Sequence, residues 1–247
     1  MSERIFLAGA TGAIGTALVP LLARAGYTVY GGTRRAERAA AMESAGATAV
    51  VVDVFDAAAL SAALVRIGPA VVIHQLTDLP PGLDPARMGD AALRNARIRD
   101  EGTRNLAAAA RAAGCARFVA QSIAWAYAPG TKPFTEDQPL DLDAEGNRRI
   151  SVRGIAALEK WALDSFSLDA TVLRYGLLYG PGTGAQAPSG PSPVHVEAAA
   201  WAALLATRRA SGGIFNVVED NDDVSNEKAR RVLGWTPELR LTDAGPR

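Results

Sequence analysis

Cysteine is almost absent from the 247 residues: there is one, Cys115. A lone cysteine excludes an internal disulfide framework, and its apolar surroundings suggest a buried thiol rather than a nucleophile, which fits a reducing cytoplasm. Histidine is scarce too. His74 and His195 are the only two, and with Cys115 they stand at no zinc-like spacing, so no metal is expected. An excess of either charge is also missing. Lys plus Arg and Asp plus Glu number 26 each, which removes the broad attraction that nucleic acid or an acidic membrane would need. No apolar run approaches the ~20 residues of a membrane span. Glycines interrupt the opening MSERIFLAGATGAIG, whose apolar core is too short for a secretory signal. These absences leave a soluble chain whose expected partner is a small molecule.

What is present is alternation. Arg4 to Ala8, Thr28 to Gly31, Thr48 to Val52, Ala70 to His74, Arg117 to Gln121 and Ala170 to Arg174 are short runs rich in Val, Ile, Phe and Leu, the pattern of buried strands. Between them lie amphipathic segments, Ile14 to Ala25, Ala36 to Ala45, Ala57 to Arg66 and Ala86 to Ala113, each followed by glycine, the usual helix stop. Alanine runs such as Ala107 to Ala110 fall inside these segments and read as packed helix rather than low complexity. Asp56 and Asp84 are expected N-caps. Strand and helix repeated at this spacing predict an α/β chain with a doubly wound parallel sheet. Residues 1–247 are expected to form one such domain, roughly 1–170 being a dinucleotide-binding core and 175–247 substrate-side elements in a small, shortened C-terminal lobe.

The stretch LAGATGAIGTAL sets Gly9, Gly12 and Gly15 between the first strand and the first helix. A phosphate needs close backbone approach, which larger side chains would block, and a helix N-terminus supplies unpaired N–H groups and the positive dipole end. Dinucleotide binding is the expectation. The second strand then runs into Thr33, Arg34 and Arg35 where NAD sites usually carry a carboxylate for the ribose 2′-hydroxyl. A guanidinium fork suits a 2′-phosphate, so NADP(H) is favoured, with NAD possible.

The GxxGxxG spacing, Asp53-Val54, His74-Gln75-Leu76-Thr77, Gly102-Thr103-Arg104-Asn105-Leu106 and Leu173 to Gly182 together resemble the extended or atypical short-chain dehydrogenase/reductase group, the NAD-dependent epimerase/dehydratase family. The resemblance runs from Arg4 to about Trp235. It implies a Rossmann-like fold in which Thr11, Gly12, Ala13 and Ile14 wrap the pyrophosphate, and Gln75, Leu76 and Thr77 line the nicotinamide ribose. Asp53 would meet the adenine amino group with Val54 beside the ring, or would serve as a turn residue.

In that family a Ser or Thr at the fifth strand's end works with a Tyr-x-x-x-Lys pair on the next helix, where the lysine lowers the tyrosine's pKa. Here that helix reads RISVRGIAALEKWAL, which places Ser151 and Ile155 at the two positions, and no tyrosine lies between Tyr127 and Tyr175. The polar exit of FVAQSIAWAYAPG offers substitutes. Ser122, Tyr127 and His74 are the catalytic candidates, with Ile123 an alternative occupant of the serine position; Gln121, Trp125 and Tyr175 are candidate substrate contacts. His195 is expected to be structural. Oxidoreduction or epimerisation of a small carbonyl or alcohol compound is the leading expectation; a non-redox isomerase, lyase or cyclase and a nucleotide-binding regulator without turnover are the alternatives. Only Glu219 to Val224 separate the late strand from the closing helical segment, which argues against a large substrate lobe. By resemblance, the segments Ala86 to Ala113 and Ser151 to Ser165 would pair two copies into a homodimer.

Overall fold

The structure is a computed structural model that describes residues 2–164, 168–208 and 212–243. In chain order the elements are β1 (Arg4–Ala8), α1 (Ala13–Arg24), β2 (Thr28–Thr33), α2 (Ala39–Ser44), β3 (Ala47–Val51), α3 (Ala57–Ile67), β4 (Val71–His74), α4 (Met88–Arg97), α5 (Thr103–Ala112), β5 (Arg117–Ile123), α6 (Gly146–Leu163), β6 (Asp169–Tyr175), β7 (Leu177–Tyr179), β8 (Pro193–His195), α7 (Val196–Arg208) and β9 (Gly213–Val217). Seven strands form one parallel sheet in the order β3-β2-β1-β4-β5-β6-β9, while β7 and β8 pair separately. The direction of winding reverses between β1 and β4, which opens a crevice at the carboxyl ends of those strands.

Alternation along the strands builds two cores. Ile5, Leu7, Ile73 and Val119 point to the face covered by α1 and α7, whereas Phe6, Val72, Phe118 and Ala120 point to the face that holds α3, α5 and α6. Leu18, Leu21 and Leu22 of α1 are completely or almost completely buried. Each such leucine contributes about 1.5–3 kcal/mol, so the helix carrying the glycine turn is held firmly to the sheet. Asp56 accepts from the Ala59 amide at 3.0 Å and Asp84 from the Ala86 amide at 3.1 Å, as their cap positions require. The four glycines expected to stop helices, Gly26, Gly46, Gly68 and Gly114, all take positive φ.

Three departures from the sequence-based elements have local causes. The segment expected as one helix from Ala86 to Ala113 is divided by a π-helical turn, Ile98–Gly102, which lies beside the Val54 side chain. The Ala36 start is a 3₁₀ turn, Ala36–Arg38, before α2. The closing helical segment is a π turn, Ala229–Leu233, and the following Trp235 is buried with its indole N–H donating to the Ala198 carbonyl at 2.8 Å. That bond fixes the C-terminal part to α7, so residues beyond 175 supply scaffold: α7 packs on α1, and β9 completes the sheet. Ser165, the expected end of α6, lies outside the described residues.

Candidate functional site

The β1–α1 turn is built by close approach. A Cβ on Gly9, whose φ is +91°, would stand 2.5 Å from the Gln75 carbonyl oxygen, and one on Gly15 would stand 2.2 Å from the Gly9 carbonyl oxygen. The turn therefore lies directly against the exit of β4. Gly12 caps α1 with backbone alone: no side chain caps the helix and no acidic residue occupies its first turn. Its N–H groups keep their partial positive charge for an anion. Further over the crevice, Gly182 approaches Ala13, the first residue of α1, so the loop after β7 reaches the same place.

The arginines after β2 do not act alike. Arg34 pairs with Asp78 at 3.5 Å, and Arg94 shares that carboxylate at 3.2 Å. Arg35 is exposed, and its amide donates to the Thr33 hydroxyl at 3.1 Å. Arg38 instead donates to the Thr11 hydroxyl at 3.0 Å, which places a guanidinium beside the glycine turn. The three-residue interval from Arg35 to Arg38 is the sequence signal for one side of the 3₁₀ turn, but the pattern of arginines gives no hint that Asp78 diverts Arg34.

Asp53 accepts from the Phe55 amide at 3.0 Å, the geometry of a turn-forming aspartate, and the Val54 carbonyl accepts from the Asn105 side chain at 3.0 Å. At the β4 exit, His74 is fully buried. Its Nδ1 accepts from the Leu76 amide at 3.2 Å, which leaves Nε2 as the donor to the Thr103 hydroxyl at 3.0 Å. Burial, with the nearby Arg99 cation, pulls its pKa down to about 3. Gln75, Gln121 and Tyr175 converge on the opposite face of the sheet tip. The Gln75 amide donates to the Tyr175 hydroxyl at 3.4 Å and Gln121 donates to the Leu76 carbonyl at 3.4 Å. Gln75 Oε1 is sealed from solvent with no partner among the described residues. Exchanging the amide's oxygen and nitrogen merely transfers the unpaired atom, so a polar group here awaits a ligand. Trp125 is half-buried, with its carbonyl bound by Arg148 at 3.0 Å; Thr77 lies exposed beyond β4.

Ser122 and Tyr127 are brought together, but into the interior. They are 2% and 4% exposed. Ser122 donates to Glu159 Oε1 at 2.7 Å; Arg174 grips both oxygens of Glu159 at 2.8 and 2.7 Å, and also donates to the Tyr127 hydroxyl at 2.9 Å. Tyr127 in turn donates to Asn216 Oδ1 at 2.7 Å, and burial raises its pKa above the ordinary phenol value. This network ties β5, α6, β6 and β9 together. His74 is not part of it. Parity along β5 explains the placement: Ser122 follows Phe118 and Ala120 onto the α6 face, while Gln121 turns toward α1. Sequence reasoning does not single out Glu159 or Asn216, since one reads as a helix charge and the other as a strand polar residue.

On α6, Ile155 is fully buried among Ala126 and Val152, Ser151 is half-buried, and Lys160 is exposed. No Tyr–Lys pair occupies the helix face turned toward the crevice. The fit of a dinucleotide therefore rests on the uncapped helix, the glycine approaches, Arg38 and the unpaired Gln75 group, all around one crevice.

The chain matches the NAD dependent epimerase/dehydratase family over residues 5–217. It is 40% identical over 264 aligned positions to a 3-diazoavenalumate denitrifying reductase from Streptomyces sp., covering 98% of this chain and 82% of the relative. Among solved structures, UDP-glucose 4-epimerase from Thermotoga maritima superposes with a TM-score of 0.76 at 18% identity, covering 97% and 95% of the two chains. The Bordetella bronchiseptica enzyme WbmG, determined in complex with NAD, gives 0.72 at 20% identity over 97% and 90%.

Proposed function

The chain belongs to the NAD dependent epimerase/dehydratase family and is an NAD(P)-dependent enzyme of oxidoreductase or epimerase type, and on that premise we propose that it is an NADP(H)-dependent reductase that works without a tyrosine proton donor. The observation that carries this reading is the pair Ser151 and Ile155, half-buried and buried on α6, where relatives by resemblance hold the Tyr and Lys.

Reducing a carbonyl creates an alkoxide, which needs an acid at hand near neutral pH. The candidate acids at the strand exit are poorly placed to protonate one. Ser122 gives its proton to Glu159, Tyr127 gives its proton to Asn216, and His74 is held neutral between Leu76 and Thr103. We read all three as bracing. A diazo group in its diazonium form makes no such demand. When bound, the reduced nicotinamide supplies hydride: the new C–H bond forms on the carbon as the C–N bond breaks, its electron pair leaves with dinitrogen, and no proton is donated. The name of the Streptomyces relative supports a diazo compound over the small ketone or alcohol expected from the sequence. The protein's own residues would hold the coenzyme diphosphate at Gly9 to Ile14, offer Arg38 to a 2′-phosphate, and present Gln75, Gln121 and Tyr175 beside the reacting end.

The test is to mix the protein with NADPH deuterated at the transferring position and either an arenediazonium salt or the matching aryl ketone. Loss of reduced nicotinamide with deuterium on the ring carbon supports the proposal. Turnover of the ketone alone would restore an enzyme acid and reject it. Saturable NADPH binding without deuterium transfer to either compound points instead to the regulator or to a non-redox reaction. Homodimerisation through the α4–α5 and α6 faces belongs to the same reading, because Leu93 and Leu163 remain exposed there; a monomer in sedimentation equilibrium removes it.

A further inference from the structure

One cation at the crevice has no role in the coenzyme cradle. Arg99 sits in the π-helical turn Ile98–Gly102, between Asn95 and Thr103 at four-residue intervals. Both neighbours grip the β4 exit: Asn95 exchanges hydrogen bonds with the Asp78 amide and carbonyl at 3.0 and 3.1 Å, and Thr103 takes the His74 ring. At helical spacing Arg99 faces the same β4 exit. On its other side it lies against α6: a Cβ on Gly154 would stand 3.0 Å from the Ala96 Cα and 3.4 Å from the Arg99 Cδ, so the glycine lets α4 approach α6 closely with Arg99 beside the contact. Gly154 lies within the interval from Ser151 to Ile155, the two positions emptied of the expected proton relay.

Arg99 makes no hydrogen bond or ion pair among the described residues, unlike the guanidinium of Arg174. It is nevertheless largely withdrawn from water, which brings its pKa down to about 10. An unpaired cation in such a position costs stability. Its nitrogens are not sealed, since Gln75 Oε1 is the one sealed unpartnered side-chain atom among the described residues, and Arg99 as a residue is half-buried. The guanidinium therefore keeps partial access to solvent. It also lies on the α5–α6 side of the sheet, whereas α1, whose N-terminus suits the diphosphate, packs on the other.

We propose that Arg99 is the receptor for a carboxylate on the substrate, holding an organic anion between the β4 exit and α6 so that its reducible end faces the nicotinamide side of the crevice. The inference rests on the reductase reading for its orientation, but the anion site itself can be tested without turnover. A planar fork with five donors and no internal acceptor matches a carboxylate in bidentate fashion. It would also supply the fixed point that the missing Tyr and Lys no longer provide.

The probes are benzoate and benzamide, titrated by calorimetry into the protein saturated with NADPH and into the protein alone. Benzoate should bind and benzamide should not. Arg99→Met should weaken benzoate by roughly 10- to 100-fold while leaving NADPH affinity unchanged, and Arg99→Lys should restore part of the binding. Because Arg99 has no partner to lose among the described residues, Arg99→Met should unfold at a temperature equal to or above that of the parent, an outcome a structural arginine would not give. Equal affinity for benzoate and benzamide, no benzoate binding at tens of millimolar, or unchanged benzoate binding in Arg99→Met each overturns the proposal. If NADPH binds and benzoate does not, the anion site fails and the coenzyme reading stands. If benzoate binds but NADPH does not, the reverse holds.

Discussion

Arg34, Arg35 and Arg38 carry the same charge, and their surroundings give them different work. Asp78 already neutralises Arg34 in part, and Arg34 and Arg94 crowd the same carboxylate. Arg38 pairs with no carboxylate among the described residues and is held toward the glycine turn by Thr11 at 3.0 Å. A 2′-phosphate placed there would gain a charge-assisted contact that a 2′-hydroxyl would not. Arg38→Ala should weaken NADPH by about 10-fold or more and leave NADH within about twofold, as measured by quenching of protein fluorescence; a matched loss for both coenzymes would refute the NADP preference. Sequence alone puts this weight on Arg34 and Arg35. It identifies basic residues after the second strand but not the acidic loop residue that engages one of them from 44 positions away.

Among the elements, the β1–α1 turn is the one whose geometry leaves least latitude. With 2.2 Å between a Cβ added to Gly15 and the Gly9 carbonyl oxygen, the obstacle is backbone and not a movable side chain. Gly15→Ala must displace either the start of α1 or the turn. Coenzyme affinity should fall by at least about 100-fold, while the far-UV circular dichroism keeps its helical content because α1 remains packed by Leu18, Leu21 and Leu22. Retained affinity in that variant would mean that the diphosphate does not use this turn. The π turn Ile98–Gly102 makes the opposite point. Its residues read as ordinary helix, since nothing in their local spacing marks the wider turn.

For the molecule as a whole, His74 links stability to pH. Its pKa is about 3 in the folded chain against 6.5 in a free side chain. The unfolded state therefore binds the extra proton first. His74's contribution is fully present above about pH 6.5 and is lost progressively as pH falls toward about 3. The slope attributable to this residue approaches about 1.4 kcal/mol per pH unit in that window. Urea denaturation of the parent and of His74→Gln between pH 7 and 4.5 should yield a stability difference that shrinks on acidification. A constant difference would show that the imidazole titrates alike in the folded and unfolded chain.

The alternation of apolar runs with amphipathic segments, the glycine triplet and the Asp caps were sufficient to determine a parallel α/β sheet and the place of its glycine turn. These features are local: periodicity, turn chemistry and residue type act over a few positions of chain. The fate of each polar group was decided only by the tertiary structure. Ser122 and Tyr127 face inward because β5 parity and the Glu159–Arg174 pair place them there, and Arg99, without a partner among the described residues, lies against α6 beside Gly154, 55 residues later. A side chain's chemistry depends on which distant groups share its space, and that information exists only once the sheet has brought them together.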